Sequence, residues 1–576
     1  MHMSTPEQIF NDGRTQRVER AEVLHWDGRL DNREDLLLRL RDWLRGEMSN
    51  AAIARASYER WGTKGLVHLI GDWSLVVRDH ANRTTILASD FAGVRPLYYH
   101  LRHVEVQWSS RLQSLVEATS ISDLDEHYVA GFLTFGGCPN RTPYKGIHSV
   151  PPGHAVCVSS EGTIIRRFWE MPTGDVIRYR SERRYEEQLR ALFREAVAVR
   201  LQTDSPVLAE LSGGLDSSSV VCMANDLIRS RAVSAPRLAG VSFVWRNSLD
   251  EPFIREVESH CGIEAVHIST HDVPLIAETQ VGDSMPEPFR PLRTSIAVTA
   301  SRLGARTILT GQNGDLMMGN WFDDSLQVSA SLRRFRIGQA CEEALAWSKI
   351  LRTPIYQILS RAFQAALPAP LSPASIYAAA DGSHVPKNVE TSLVRGFSDR
   401  TGISEPGSLF SNAWLQAPAE RRKYFYYLSM ALELRSLQPP GPLQHLDYTH
   451  PFAHRPLVEF LMTVPAHVLC RPGEPRRLMR SAFSDLWPIK LRERRSKGSL
   501  NHPWQEALRP VARALLKGRQ LQLVERGFVD RTSFRSRLER LSAGLECNQS
   551  QLRQIILLEL WLRNRAHGAL GQVRAA

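Results

Sequence analysis

Val207-Leu-Ala-Glu-Leu-Ser212-Gly213-Gly214-Leu215-Asp216-Ser217-Ser218-Ser219 joins a short apolar run to a hydroxyl-rich one through two adjacent glycines. Val207–Leu211 has the length and composition of a strand, and the spacing predicts a helix over Ser217–Ile228. A strand, a glycine turn and a helix in that order aim backbone N–H groups and a helix N-terminus at one point, which makes an anion site. Gly213 and Gly214 let the backbone turn sharply and approach a ligand. Ser212, Ser217 and Ser218 add hydroxyl donors beside Leu211 and Leu215. Asp216 is a poor neighbour for bare phosphate but a good ligand for Mg²⁺ bridging phosphates. No Lys follows the glycines, so the GxxxxGK[ST] loop is absent here. The loop is expected to hold pyrophosphate leaving as a unit, with ATP cleaved at its α-phosphate. A glycine turn with an ordinary Ser/Asp helix cap is the plain alternative.

Outward from this loop, helical and strand patterns alternate: Tyr185–Arg200, Leu238–Val244, Phe253–Cys261, Ala265–Ile268, Ile296–Leu303 and Thr307–Leu309. That alternation predicts an α/β domain with a doubly wound parallel sheet. Upstream, residues 19–175 read mostly as β with turns, with helices over Arg33–Arg45 and Ala51–Trp61. The change of character near 171–182 divides the chain into domains 1–175 and 176–576. Residues 320–576 read as mainly helical, with a Pro-rich insertion near 367–376.

The chain has 576 residues, 13 of them Trp, and 23% are charged, which excludes chain-wide disorder. Lys+Arg 72 against Asp+Glu 61 gives +11, an excess spread along the chain that does not require nucleic acid as a partner. The seven cysteines form no CxxC pair and are odd in number, so a reducing cytoplasm is expected. The first residues have no apolar core of a signal peptide. The uncharged stretch Ala362–Ala380 carries Pro368, Pro370 and Pro373, so it is expected as a loop or broken helix and not as a membrane span.

SGGLDSS resembles the pyrophosphate loop of the asparagine-synthetase family of ATP pyrophosphatases. Thr307-Ile-Leu-Thr-Gly311-Gln312-Asn313-Gly314-Asp315 resembles the family's second, strand-end segment. The resemblance implies that Asp216 and Asp315 bind Mg²⁺, that Gly311 belongs to the ATP site, and that Val241 and Ser242 lie where the second strand meets adenine. Leu69-Ile-Gly71-Asp-Trp73 and Ala88–Tyr99 resemble the family's glutaminase domain, an Ntn-type β-rich sandwich, and Trp26–Asn32 a degraded form of its glutamine-side loop. A glutaminase of that type uses Cys directly after the initiator Met. Met1 is followed here by His2, and the first cysteine is Cys138, so the domain is expected to be degenerate and the nitrogen nucleophile to come from elsewhere.

Leu446-Asp447-Tyr448-Thr449-His450-Pro451-Phe452 and Leu457-Val-Glu459-Phe460 resemble the family's acidic-residue, PFLD and LVEF segment, which would make Asp447 a catalytic carboxylate with a Tyr partner among Tyr424, Tyr426 and Tyr427. Arg494-Arg495-Ser496-Lys497-Gly498 resembles the segment supplying a catalytic Lys, here Lys497. His450 and His454, four apart, could share a helix face, but no third ligand accompanies them and packed histidines are the plainer expectation.

A glutaminase remnant joined to such a synthetase domain resembles lasso-peptide cyclases. The resemblance implies an ATP- and Mg²⁺-dependent ligase that adenylates an Asp or Glu side chain of a precursor peptide and closes a macrolactam with the peptide's N-terminal amine. It implies a leader peptidase and a leader-recognition protein as partners. β-lactam synthetases and an ammonia-dependent asparagine synthetase are the neighbouring alternatives; a non-catalytic scaffold and an RNA-modifying pyrophosphatase are more distant ones.

Overall fold

The computed structural model describes residues 21–575 apart from 45, 103–104, 175, 277–285, 320–322, 369–392, 404–411, 496–497, 499–500, 519 and 546–548. Chain order begins with β1 (Ala21–Gly28), α1 (Arg33–Leu40), α2 (Asn50–Trp61), β2 (Trp73–Asp79), β3 (Thr84–Ser89), β4 (Tyr98–Arg102), β5 (Glu105–Ser109), β6 (Ile147–Ser149), β7 (His154–Ser159) and β8 (Gly162–Arg167). β1, β2, β3, β7 and β8 form one antiparallel sheet in that order, and β5-β4-β6 a second. Strand alternation puts successive side chains on opposite faces. Leu75 and Val77 therefore pack with Leu36, Leu40 and Ile53 of the two helices. Val76, between them, packs with Leu97, Tyr99 and Val156 on the other side. Because both faces are covered, β2 is an almost continuous apolar run.

The second part is built from α3 (Glu182–Ala198), β9 (Val207–Glu210), α4 (Leu215–Arg229), β10 (Leu238–Val244), α5 (Glu251–Cys261), β11 (Glu264–Ser269), α6 (Arg290–Leu303), β12 (Thr307–Leu309), α7 (Gly314–Met317), β13 (Asp447–Thr449) and α8 (Asn501–Lys517), with further helices between and after the last two. Its sheet runs β11-β10-β9-β12-β13, and each pairing is parallel. β9 is central and buried on both faces: Val207 and Ala209 belong to one apolar cluster, Leu208 to the other. Helices therefore cover both sides, the doubly wound arrangement expected of alternating helix and strand. α6 starts at Arg290, six residues before the expected Ile296; Pro291 occupies a first-turn position where no intrahelical N–H is needed, and Leu292 is already buried. The expected loop around Pro370 and Pro373 lies outside the described residues. Among the described residues no helix is long and apolar enough to cross a membrane.

The two parts share a charged contact. Asp72 forms an ion pair with Arg29 (2.8 Å) and accepts from Arg200 (3.4 Å) and the Thr449 hydroxyl (2.6 Å). Burial alone would raise the Asp72 carboxyl, but the Arg29 and Arg200 guanidiniums prevail and hold it well below the usual carboxylate range. Trp169 Nε1 reaches Glu459 (2.8 Å), and Arg455 donates to the Val67 carbonyl (2.6 Å).

Candidate active site

The carboxyl edge of a parallel sheet is where its loops can gather around a ligand. β9 ends there, Leu211 N–H still donating to Val241 C=O (2.8 Å), and the chain turns through Gly213 at φ +70°. A Cβ at Gly213 would lie 2.8 Å from the Asp250 carbonyl oxygen, so the turn is closed to other residues by contact as well as by φ. Gly214, extended, is the N-cap of α4. Ser217 Oγ lies 3.0 Å from Ser212 Oγ and accepts from Ser212 N–H (3.1 Å). The side chains of Leu211, Leu215 and Val241 are core; their part in the site is to fix its backbone. Ser218 Oγ, Ser242 Oγ, Gln312 Oε1 and Asn313 Oδ1 are buried with no hydrogen-bond partner among the described residues. An unsatisfied buried polar atom costs about 1–3 kcal/mol, so four of them on segments meeting at one loop mark the place of a polar ligand.

The second segment docks directly on the first. A Cβ on Gly311 would stand 2.5 Å from Ser217 N, and one on Gly314 would stand 2.6 Å from the Asp216 carboxyl carbon. Asn313 sits at φ +70°, a left-handed position that Asn tolerates better than most residues. Asp315 directly follows Gly314, the residue packed on Asp216, and is exposed. Two carboxylates on touching loops next to a phosphate cradle suit Mg²⁺, whose remaining positions phosphate oxygens would fill.

Two arginines complete the cradle. Arg476 pairs with Asp216. Arg494 donates to the Gly213 carbonyl (2.6 Å), pairs with Asp250, and lies 4.0 Å from the centroid of the Phe253 ring. Gly498 N–H donates to the same Asp250 carboxylate (3.0 Å). Lys497 itself lies outside the described residues, but Arg494 and Gly498 on either side of it are anchored at Gly213 and Asp250. Sequence reasoning did not single out Arg476, Arg494 or Asp250.

Asp447 is not brought to this loop. It is the first residue of β13, in register with Thr307 at the start of β12. Gly311, where the cradle begins, lies four residues up, roughly 13 Å at strand rise. Asp447 pairs instead with Arg95 and, at 3.9 Å, with Arg29, both from the β-rich part. Tyr424 donates to Asp324 (2.9 Å). His450 and His454 do not share a helix face, because both have extended backbone conformations, His450 before the short turn Pro451–Ala453 and His454 before the helix Arg455–Thr463. His450 Nε2 faces the Leu437 carbonyl (2.8 Å), so that nitrogen carries the proton and Nδ1 accepts from Thr310 Oγ1 (2.6 Å). Burial pushes this imidazole down to about 4, leaving it neutral. His454 Nδ1 lies 3.2 Å from Asp31.

An antiparallel sandwich followed by a doubly wound sheet, with two loops docked at its carboxyl edge, defines a two-domain α/β protein. Residues 188–563 match the family described as asparagine synthase, and residues 18–169 match the glutamine amidotransferase domain. The chain belongs to the asparagine synthase family. It is 30% identical over 222 residues to glutamine-hydrolysing asparagine synthetase 3 of Bacillus subtilis, covering 34% of this chain and 33% of that protein. It is 29% identical over 302 residues to amidase chyE of Penicillium rubens, covering 46% and 42%. With the asparagine synthetase of Zea mays it shares 25% over 343 residues, covering 55% and 50%. The chain thus spans half or less of the length of these relatives.

Proposed function

We propose that this chain is an ATP-dependent, AMP-forming carbon–nitrogen ligase of lasso-peptide-cyclase type. It activates an Asp or Glu side chain of a precursor peptide and closes a macrolactam with that peptide's N-terminal amine. The observation carrying this reading is the state of the thiols in the amidotransferase domain. Burial pushes Cys138 up to about 11 and raises Cys157, so neither is a thiolate near neutral pH. Neither of these two thiols is then poised to attack glutamine, which supports a substrate that brings its own amine.

In the proposed first step the substrate carboxylate attacks the α-phosphorus of ATP and pyrophosphate leaves. The backbone N–H groups of Gly213 and Gly214, the α4 N-terminus and the Ser212 and Ser217 hydroxyls hold the leaving group. Asp216 and Asp315 would hold Mg²⁺, which when bound neutralises phosphate charge. In the second step the amine attacks the acyl carbon and AMP leaves, with Lys497 as the cation balancing the departing phosphate. Asp447, ion-paired at the amino edge, has no part in either step. A precursor peptide, a leader peptidase and a leader-recognition protein are the proposed partners.

A second reading, an asparagine-synthetase-like ligase acting on a small molecule, is favoured by the 30% identity to the Bacillus subtilis enzyme. One experiment separates the two. The purified protein is incubated with Mg-ATP and a linear precursor peptide, and AMP and peptide mass are followed together. Loss of one water from the peptide with matching AMP supports cyclisation. AMP formed with free aspartate and ammonia, the peptide remaining unchanged, overturns it.

A further inference from the structure

A cavity of about 930 Å³ opens between the loops that follow β10 and β11 and one face of α8. Its position is tied to the pyrophosphate loop from both sides. The loop after β10 starts at Trp245 and Arg246 in the cavity wall and ends at Asp250, whose carbonyl oxygen closes on Gly213. Five residues span at most roughly 18 Å, so the cavity lies within one short loop of the cradle. The opposite wall begins just after Gly498, which is anchored on that same Asp250. α8 turns Ala507 and Val511, four apart and therefore on one face, toward the opening.

The walls are of mixed character. Leu275, Ile276 and Val511 are buried and apolar, Trp245 is half-buried, and Arg246 and Glu506 are exposed at the rim. A free amino acid needs a small, tightly charged pocket. A volume near the upper end of ligand cavities, with buried apolar side chains at Leu275, Ile276 and Val511 and polar ones exposed at Arg246, Asn247, His271 and Glu506, suits a chain of several residues.

We infer that this cavity holds the body of a peptide substrate while its acidic side chain reaches the pyrophosphate loop. The inference rests on the ligase reading above and deepens it by locating the peptide. Bound there, a peptide would run along the carboxyl ends of β10 and β11 and approach the cradle past Asp250.

The test uses the full chain, Mg-ATP and a linear peptide carrying a free N-terminus, an Asp or Glu and one benzophenone side chain. Ala507→Trp fills the cavity. Arg246→Ala changes only an exposed rim position, so its fold is not at risk. Both variants are expected to raise the KM for the peptide by about tenfold, equivalent to about 1.4 kcal/mol, with the KM for Mg-ATP unchanged. Photolysis is expected to attach the peptide within 245–247, 270–276 or 503–511. Peptide-driven AMP formation with unaltered peptide KM in both variants, or attachment elsewhere, overturns the cavity assignment and leaves the ligase reading standing. AMP formation with free aspartate and not with any peptide overturns both.

Discussion

Gly311→Ala isolates the contact on which the proposed site depends. Gly311 does not have a positive φ, so alanine is compatible with its backbone and the effect is steric. The added Cβ would lie 2.5 Å from Ser217 N, 2.8 Å from Ser217 Cα and 2.9 Å from the Asp216 carbonyl carbon. All three are backbone atoms and cannot swing aside. Ordinary contact begins near 3.4 Å, so about 0.9 Å of separation has to open between the two phosphate-side loops. Overpacking of this kind costs about 1–3 kcal/mol, which a chain of this size survives. A displacement near 1 Å costs on the order of a hundredfold in rate when it separates groups that act together. ATP–pyrophosphate exchange is therefore expected to fall about a hundredfold, while thermal denaturation shows a folded protein. Gly304→Ala is the control: Gly304 also resists substitution, with φ +66°, but nothing lies within 4 Å of its Cβ position. It is expected to cost about 1 kcal/mol of stability and no exchange activity. Exchange by Gly311→Ala at the wild-type rate, with an unchanged KM for ATP, would refute the docking of the two loops as a requirement.

Arg494→Ala leaves Asp250 without its buried partner and releases the Gly213 carbonyl; a loss of about 3–5 kcal/mol in denaturant unfolding is expected, together with weaker ATP binding by calorimetry. Asp72→Ala strips the buried contact between the two domains of its central carboxylate. Calorimetric scanning should then show the amidotransferase-type domain melting as a separate, earlier transition, and a single unshifted transition would count against its bridging role. Burial pushes Asp324 up to about 7 although Lys423 and Tyr424 oppose it. An unfolded Asp titrates near 3.9, so between roughly pH 4 and 7 the native state retains a proton that the unfolded chain has released. Stability from this group therefore falls as pH rises through that window, by up to about 4 kcal/mol. Asp324→Asn should flatten that part of the urea-unfolding profile, and an unaltered slope would refute the assignment. Removing divalent metal with a chelator is expected to stop pyrophosphate exchange without changing circular dichroism.

What could be read from the chain beforehand followed the range of the interactions. The strand, glycine turn and helix from Val207 to Ser219 were legible because each device acts between near neighbours: a glycine supplies its own φ, and the Ser217 hydroxyl donates to the Gly214 carbonyl within its own turn. The doubly wound sheet was legible for the same reason, since alternation is a local pattern repeated. Depth within the sheet is different. Asp447 was matched by its spacing to Pro451-Phe452, and that spacing does place it on β13. Which edge of the sheet it occupies depends on the pairing of Asp447 with Thr307, a relation between segments far apart in sequence. A parallel neighbour can slide in register without altering either segment's own composition, so no local pattern reports it. The arginines failed to stand out for a related reason. Arg494 and Arg495 are chemically alike in the sequence, yet Arg494 is buried against Phe253, Asp250 and Gly213 while Arg495 is exposed. Runs of basic residues are usually solvated, and only the fold distinguishes the one whose charge is withdrawn from water. The strand, turn and helix that local chemistry builds could therefore be placed in the sequence, whereas the contacts assembled by register and burial needed the structure.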